Sequence, residues 1–355
     1  MRRGGSTARR SSAVLAALIL ASTGGCGDPS AAAPGALAGL HACPGAGDVV
    51  GVVTQLGPDY VDEGGTVAGG VNTWTVGADG TLRQLTDDST HFYPLISPDA
   101  RTVYQISRSG EIEMDSLVGP DTIERWELEG GAVATIREYP EILDISLSAD
   151  GRFLAVAHAI ADPMFGVSVL DLDAAAKVEP VVVIGDGSGY AGTAAPVALS
   201  PDGGQLAYGF HRLDEVRGTV FSSVRLLDLA TGKDSLLTDT NGKTVTDLVW
   251  SADGATVIVG LNYLPEGGTV ETPLAFEILR LDPSSGQIRR EDGFTFDISP
   301  ISLTGDRLIG FGPSRQEGDI DGKSLIVFGA GEVSAVSLSL DFQPRGIDVA
   351  ECSYK

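Results

Sequence analysis

Short apolar runs recur along the chain in pairs, and a polar turn separates the two runs of each pair. One pair is Leu248–Trp250 before the turn and Ala255–Gly260 after it, with Ser251-Ala252-Asp253-Gly254 between them. Runs this short, bounded by Asp and Gly, are typical of β-strands. Asp and Gly tolerate positive φ and bond to the nearby backbone, so we interpret the turn aspartates as structural residues and not as acid–base groups. The pattern predicts an all-β fold of repeated hairpins.

The turn recurs at an almost constant interval. It reads Ser97-Pro98-Asp99, Ser148-Ala149-Asp150-Gly151, Ser200-Pro201-Asp202-Gly203 and Ser251-Ala252-Asp253-Gly254, with spacings of 148 − 97 = 51, 200 − 148 = 52 and 251 − 200 = 51 residues. Degenerate copies lie at the same interval around Ala46-Gly47-Asp48, Ser302 and Ser353. A repeat of about 50 residues with a strand on each side of the turn indicates a β-propeller. We expect residues 43–355 to form six blades of four antiparallel strands.

The first and last copies of the turn predict how the ring closes. From position 46 to position 353 is 353 − 46 = 307 residues, which is six intervals of about 51. The chain then enters on the second strand of one blade and ends on the first strand of the same blade. We expect Gly346–Ser353 to be the innermost strand of that blade and to pair with Val49–Val53. Such closure protects strand edges that separate sheets would expose.

The N-terminus carries the features of an export signal. A basic start is followed by a short apolar segment, Ala13–Ala21, and then by Thr23-Gly24-Gly25-Cys26; the basic residues are Arg2, Arg3, Arg9 and Arg10. Small residues directly before a cysteine resemble the bacterial lipobox, which implies that Cys26 is diacylated and becomes the mature N-terminus. Thr23 stands where the lipobox prefers leucine, and ordinary cleavage nearby, which would leave Cys26 a plain thiol, is the alternative. Arg9-Arg10 also leaves twin-arginine export open beside the general route.

These features predict three segments. Residues 1–25 are a lipoprotein signal peptide, and residues 26–42, rich in Ala, Gly and Pro, are a flexible tether. Residues 43–355 are the propeller. We expect the protein to be exported and held by its lipid at the bacterial cell envelope, on a periplasmic or extracellular face.

The two remaining cysteines lie on either side of the turn that the closing blade lacks. An exported protein with three cysteines leaves Cys43 and Cys352 as a pair once lipidation uses Cys26. A disulfide between them would close a loop of 352 − 43 = 309 residues. The alternative is two unpaired thiols.

The charge of the mature chain is strongly negative. Of 24 Lys and Arg and 48 Asp and Glu, removal of residues 1–25 takes four arginines and no acid, so the net charge is 20 − 48 = −28. Nucleic acid and anionic lipid surfaces are therefore poor partners. Solubility alone would explain the charge, and attraction for a basic protein or for cations is the other interpretation.

Part of the repeat resembles a known family. Leu82-Arg83-Gln84-Leu85-Thr86, followed by Pro94-Leu95-Ile96-Ser97-Pro98-Asp99 and an apolar strand, resembles the repeat of TolB-type periplasmic propellers; the propeller of prolyl oligopeptidases is similar. The resemblance covers residues 46–353. It implies a six-bladed fold and a protein-interaction hub whose partner docks at the channel mouth. The chain has no Gly-x-Ser-x-Gly elbow and no hydrolase domain after the propeller, so the oligopeptidase activity is not implied.

Acidic residues recur four or five residues before the motif serines, where the first strand of a blade begins at the channel mouth. We expect a partner-binding surface there, formed by Tyr93, Asp144, Asp247, Asp297 and Asp348, with His91 in the loop that enters its blade. The alternative is that each carboxylate only accepts backbone hydrogen bonds from its own loop.

Chemistry of other kinds has weak support. His91, His158 and His211 fall on one predicted face, but equivalent strand ends of neighbouring blades lie far apart, and histidines at wet strand ends are the ordinary interpretation. Asp319-Ile320-Asp321-Gly322 resembles the start of a calcium loop and lacks the later ligands. We expect no catalytic residue, no cofactor and no bound metal.

Two functions follow. The first is a monomeric, non-enzymatic envelope lipoprotein whose acidic channel mouth holds a basic segment of another envelope protein, with no nucleic-acid partner and with membrane contact only through the lipid. The alternative is a propeller enzyme, a lyase or glycan hydrolase, with a cleft on the same face that includes His158 and His211.

Overall fold

The computed structural model describes residues 49–349, with gaps at 57–70, 78–80, 88–90, 109–110, 114–115, 119, 162–163, 175–179, 185–191, 215–218, 266–274, 292–300, 305–306, 314–322, 330–331 and 338–343. The chain divides into two units, Met1–Ser30 and Ala31–Lys355, and every described residue belongs to the second. Cys26, Cys43, Cys352, Asp297 and the Asp319–Gly322 segment lie outside the described residues. Within the described part, no helix has the length and hydropathy that a membrane crossing requires.

The described residues form 26 strands. The first nine are β1 (Val49–Leu56), β2 (Val71–Gly77), β3 (Leu82–Gln84), β4 (His91–Ile96), β5 (Thr102–Arg108), β6 (Glu111–Glu113), β7 (Ser116–Val118), β8 (Asp121–Glu127) and β9 (Val133–Tyr139). The next eight are β10 (Ile142–Leu147), β11 (Phe153–Ala161), β12 (Met164–Asp171), β13 (Val182–Ile184), β14 (Gly192–Leu199), β15 (Gln205–Asp214), β16 (Thr219–Asp228) and β17 (Asp234–Asp239). The last nine are β18 (Thr244–Trp250), β19 (Val257–Tyr263), β20 (Ala275–Leu281), β21 (Ile288–Glu291), β22 (Ile301–Thr304), β23 (Arg307–Pro313), β24 (Lys323–Gly329), β25 (Glu332–Ser337) and β26 (Pro344–Val349).

The strands pair into four-stranded antiparallel sheets, which are the blades of an all-β propeller. We number them in chain order: sheet 1 is β26-β1-β2-β3, sheet 2 is β4-β5-β8-β9, sheet 3 is β10 to β13, sheet 4 is β14 to β17, sheet 5 is β18 to β21, and sheet 6 is β22 to β25. β6 and β7 form a separate two-stranded sheet. The first strand in each order is here called the inner strand, because each inner strand contacts the next, and β22 also contacts β26.

Sheet 1 combines the two ends of the described chain. β26 pairs antiparallel with β1, with Val349 opposite Gly51, Asp348 opposite Val52 and Ile347 opposite Val53. The strand runs over Pro344–Val349, whereas the sequence places it at Gly346–Ser353. The innermost strand of sheet 1 thus comes from the C-terminal part, and its other three strands come from residues 49–84.

The repeated turn has one hydrogen-bond pattern in four copies. In the copy at Ser200, the serine N–H donates to the Gln205 carbonyl, and the serine Oγ accepts from the Gln205 N–H at 2.8 Å. The same Oγ lies 2.6 Å from Asp202 Oδ1, which accepts from the N–H of Gly204. The position after the aspartate has positive φ in every copy: Ala100 (57°), Gly151 (74°), Gly203 (67°) and Gly254 (68°). The serine and aspartate of the motif are therefore turn residues.

Apolar side chains fill the spaces between neighbouring sheets. The space between sheets 4 and 5 holds eleven buried apolar residues, centred on Val224, Val257 and Trp250. The spaces between sheets 3 and 4 and between sheets 2 and 3 hold ten and eight. Between sheets 1 and 2 only four are clustered: Val52, Ile96, Ala100 and Val103. Burial of this apolar area stabilises the packing of the blades, and among these four spaces the one between sheets 1 and 2 has the fewest clustered residues.

Candidate functional site

The carboxylate of Asp144 bridges two inner strands. Asp144 lies on β10, and its Oδ2 accepts a hydrogen bond from the Val197 N–H of β14 at 2.8 Å. Two residues further on, Ser146 Oγ accepts from the Leu199 N–H at 3.0 Å. An inner strand has no strand on its channel side, so the N–H groups there need other acceptors. Side chains of the preceding inner strand supply these acceptors for β14.

Asp348 makes the same kind of bridge at another sheet. Its Oδ2 accepts from the Ile96 N–H at 2.8 Å and thereby joins β26 to β4. The sequence alternative had these carboxylates accept backbone bonds from their own loops. In both described cases the bond comes from the inner strand of the next sheet. The two carboxylates therefore join neighbouring inner strands.

The environment of Asp144 favours its protonated form. Loss of hydration raises the pKa of Asp144 to about 7, and the negative charge of Asp247 on β18 adds to the rise, while bonds from the N–H groups of Val197 and Ile145 oppose it. Asp144 and Asp247 belong to sheets 3 and 5, so two carboxylates from different sheets interact electrostatically. Two of the acidic residues that the sequence assigned to the channel mouth thus lie on inner strands, and the charge of Asp247 affects the pKa of Asp144.

Tyr93 is the exposed member of the predicted surface. Its side chain is 46% exposed, and its backbone has a φ of 47°, which is uncommon for a residue other than glycine. Tyr93 lies where the pairing of β4 with β5 shifts between Phe92 and Leu95. Backbone strain of this kind is common at binding sites, where the surrounding structure maintains it.

Bulges at the inner strands are the feature that sequence reasoning missed. The pairing of the inner strand with its neighbour shifts at the same place in four sheets, between Phe92 and Leu95, Ile142 and Asp144, Ala194 and Val197, and Val245 and Asp247. A bulge redirects the side chains beside it, and Asp144 and Asp247 directly follow one. Pro94 and Pro196, each inside a predicted inner strand, are the signal that could have revealed two of these bulges.

His91 is buried, although the sequence places it in a loop at the channel mouth. It is the first residue of β4 and is 2% exposed. Its Nε2 lies 3.1 Å from Glu124 Oε2, which also accepts from Trp126 Nε1 at 2.8 Å. The hydrogen bond with His91 is the largest cause that lowers the pKa of Glu124. His91 therefore contributes to sheet 2 from a buried position, through its hydrogen bond with Glu124.

His158 and His211 are bonded inside separate sheets. His158 Nδ1 lies 2.9 Å from the Ala159 carbonyl and must donate to it, so Nε2 of the neutral ring accepts from Ser168 Oγ at 2.9 Å. His211 Nδ1 lies 2.9 Å from Ser222 Oγ. Burial lowers the pKa of both rings. Because His158 lies on β11 and His211 on β15, the structure does not join them into one catalytic pair.

Metal coordination has no support in the part of the chain that the structure describes. No group of three or more His, Cys, Asp or Glu side chains there could hold a metal ion. The described chemistry of the inner strands is that of hydrogen-bonded and electrostatically coupled carboxylates.

Comparisons with known proteins give a fold and no family. No protein-family model matches the chain, and no curated protein sequence matches it. Solved structures do match. TolB from Acinetobacter baumannii is similar over 86% of this chain and 67% of its own, with a TM-score of 0.58 and 16% identity. The chain has the TolB-like β-propeller fold.

Other solved propellers share this fold at similarly low identity. A chain of the nidogen–laminin complex matches over 85% of this chain and 98% of its own, with a TM-score of 0.56 and 11% identity. An oligogalacturonate lyase in complex with manganese matches over 81% of this chain and 78% of its own, with a TM-score of 0.52 and 15% identity. The TolB-like fold thus occurs in proteins of different function, and the site must be argued from its own residues.

Proposed function

We propose that the chain is a non-enzymatic, protein-binding propeller of the bacterial cell envelope, with six blades closed by the pairing of β26 with β1. Six four-stranded sheets and the contact of each inner strand with the next support the closed ring. The partner is a basic segment of another envelope protein. TolB, which shares the fold, and the propeller of the nidogen–laminin complex are consistent with a binding role.

The recurrence of a carboxylate on the inner strands, at Asp144, Asp247 and Asp348, is the observation that carries the proposal. Loss of hydration is the largest cause that raises the pKa of Asp144, and the charge of Asp247 adds to it, so a second negative charge among the inner strands is unfavourable without a counter-charge. A Lys or Arg side chain of a partner would supply that charge. Exposed Tyr93 would add apolar contact and Asp348 further charge; Asp297 completes the proposed set, and His91 supports β4 below it.

The cellular location of the protein is part of the proposal. Residues 1–25 are the signal peptide, residues 26–42 the tether, and Cys26 carries the lipid. A cysteine with a diacylglyceryl group provides two chains, which is enough for stable membrane anchoring. Cys26→Ser should move the protein from the membrane fraction to the soluble exported fraction. Unchanged membrane partitioning of that variant would contradict lipidation.

The binding role is tested by capture from the native envelope. The wild type, held on beads, should retain a partner at low salt and release it at high salt, because exposed ion pairs are screened. The double variant Asp144→Asn, Asp247→Asn should lose most of the captured partner while it stays folded. The matched control is Asp150→Asn, Asp253→Asn, which removes the same charge from turns of the same two sheets. Equal loss in both double variants, or capture that persists in high salt, would contradict the proposed site.

A lyase activity is the second candidate, and the likeness to the manganese-bound oligogalacturonate lyase favours it. The described residues do not supply a coordinating group for manganese, so no step through the metal is derived. Incubation with oligogalacturonate and Mn²⁺, followed by ultraviolet absorbance of unsaturated products, tests it. Turnover that disappears in His158→Gln or His211→Gln, but not in the aspartate variants, would replace the binding role by the enzymatic one.

A further inference from the structure

Buried polar side chains lie in the space between sheets 1 and 2. Cross-strand partners share a face of a sheet, and so do alternate residues of a strand. Thr54 is opposite Thr73 two residues beyond Val52, and Gln105 is opposite Glu124 two residues beyond Val103. Val52 and Val103 pack together between the two sheets. Thr73 and Gln105 therefore lie on the two faces that meet.

Gln105 departs from the repeat. It lies 105 − 97 = 8 residues after its motif serine, and the positions eight residues after Ser148, Ser200 and Ser251 are Val156, Tyr208 and Val259. All four residues are buried. Only Gln105 places a primary amide at this position among these four copies. A side chain that breaks the pattern of a core position, without an evident compensation, indicates a functional role or a bound molecule.

The amide of Gln105 is not satisfied by the protein. Gln105 is 0% exposed, and neither its Oε1 nor its Nε2 has a hydrogen-bond partner within normal geometry. The amide is close enough to Glu124 to help lower the pKa of that carboxyl, yet it makes no well-formed bond with it. Thr73 is likewise 0% exposed, and its Oγ1 has no partner. Buried polar atoms are nearly always bonded, so three such atoms on facing sheets require an explanation.

We propose that a small, uncharged hydrogen-bonding molecule is bound between sheets 1 and 2, where it bonds to the Gln105 amide and the Thr73 hydroxyl. The amide and the hydroxyl each donate and accept, so the guest must do both. A cation is disfavoured, because Glu124 already accepts from His91 and Trp126 and the free groups carry no charge. Water is the smallest molecule of this class, and buried water commonly satisfies such groups. A small alcohol or amide has the same chemistry.

A bound molecule and an empty space predict opposite effects of replacing Gln105 on the stability of the protein. If the site were dry, replacing Gln105 by an apolar side chain of similar size would remove an unpaired buried amide and would raise stability. If a guest is bound, the same change deletes its partner and leaves the guest and Thr73 Oγ1 unsatisfied. The sign of the stability change therefore separates the two cases.

The experiment compares thermal midpoints of Gln105→Met, Gln105→Leu and the wild type. We expect both variants to unfold at a lower temperature, by about 2 °C or more. Gln287→Met, which makes the same chemical change at an exposed position, should leave the midpoint almost unchanged. A midpoint that is unchanged or raised in both Gln105 variants would overturn the proposal.

A packing defect in the variants could also lower their thermal midpoints. A crystal structure of the wild type avoids this ambiguity, because it shows directly whether a molecule is bound. Discrete density about 3 Å from both Gln105 Oε1 and Thr73 Oγ1 would support the guest. Absence of density, or an amide turned to bond protein groups instead, would overturn it. Native mass spectrometry then identifies the source: the mass of the polypeptide alone indicates water, and a discrete added mass indicates an organic molecule.

Discussion

Asp348 Oδ2 lies 2.8 Å from the backbone nitrogen of Ile96, although 252 residues separate the two in the chain. The carboxylate is on β26, the inner strand of sheet 1, and the amide is on β4, the inner strand of the next sheet. Asp144 and Val197 repeat the relationship between β10 and β14 at the same distance. Neighbouring inner strands are thus joined by side chain to backbone bonds and not by ladder bonds, so these two carboxylates of inner strands have a structural role.

Loss of this bond should destabilise the packing of β26 against β4. Asp348→Ala leaves the Ile96 N–H without its acceptor, and we expect the free energy of unfolding to fall by about 1–3 kcal/mol. Asp348→Asn keeps an oxygen at that position and should cost less. Equilibrium urea unfolding measures the loss, and hydrogen exchange of the Ile96 amide should quicken in the alanine variant. Asp173→Ala at an exposed turn is the control, and equal losses for Asp348→Ala and Asp348→Asn would contradict the bridge.

The repeat predicted where strands lie far better than how they are bonded. Copies of the turn at Ser97, Ser148 and Ser200 locate the first two strands of each sheet, because local turn chemistry and apolar runs are both visible in the sequence. The turn does not determine how long the strands are: β15 and β16 each run over ten residues, Gln205–Asp214 and Thr219–Asp228.

The bonding between sheets could not be predicted in the same way. The sequence shows that Asp144 begins an inner strand, but its partner, the Val197 N–H, depends on the packing of one sheet against the next. The burial of Gln105 has the same origin, because its face of sheet 2 packs against sheet 1 and not against its own neighbours in the chain. The sequence pattern predicts on which face of a strand a side chain lies. The side chains that it contacts there depend on the neighbouring sheet.

The free energy of unfolding should depend on the ionisation of Asp144. Its pKa rises from an ordinary 3.8 to about 7, so between these values the folded state keeps a proton that the unfolded state has released. The stability that Asp144 contributes is therefore complete below pH 4 and is lost as the pH rises through about 7.

Asp144→Asn removes this dependence while it keeps an oxygen acceptor for the Val197 N–H. At pH 8 we expect the variant to be more stable than the wild type by about 1 kcal/mol or more, and at pH 4 to be nearly equal to it. Urea unfolding at both pH values measures the difference in free energy of unfolding between the variant and the wild type. The contributions of other titrating groups cancel in this difference because both proteins share them. Asp247→Asn should reduce the pH dependence in part, because it removes the second charge. Parallel pH profiles for Asp144→Asn and the wild type would contradict the raised pKa.

Two turn glycines of equal φ should differ in their tolerance of a side chain. Gly203 and Gly254 have φ of 67° and 68°. A Cβ at Gly203 would lie 2.6 Å from Phe153 Cδ2, whereas one at Gly254 would lie 3.6 Å from Pro201 Cδ, an ordinary contact. Gly254→Ala should cost only the backbone strain, about 1–2 kcal/mol, and Gly203→Ala should cost more because Phe153 must move. Chemical denaturation of the pair measures this, and equal costs would show that the Phe153 ring yields freely.

A disulfide between Cys43 and Cys352 would secure the strand that completes sheet 1. Cys352 follows the end of β26 by three residues, 352 − 349, and Cys43 precedes the start of β1 by six, 49 − 43, while β26 and β1 are paired with Val349 opposite Gly51. In the sequence, each cysteine is thus only a few residues from the end of the strand pair at which Val349 and Gly51 are opposite. Peptide mapping of the exported protein without reductant should recover them in one linked peptide.

The Cys43→Ser, Cys352→Ser variant should then lose up to about 5 kcal/mol of stability, because the loop that the bond closes is long. Reductant should lower the stability of the wild type and leave that variant unchanged. Alkylation of both cysteines in the untreated wild type would show instead that the hydrogen bonds of β26 and the Asp348 bridge hold the closing strand without a covalent link.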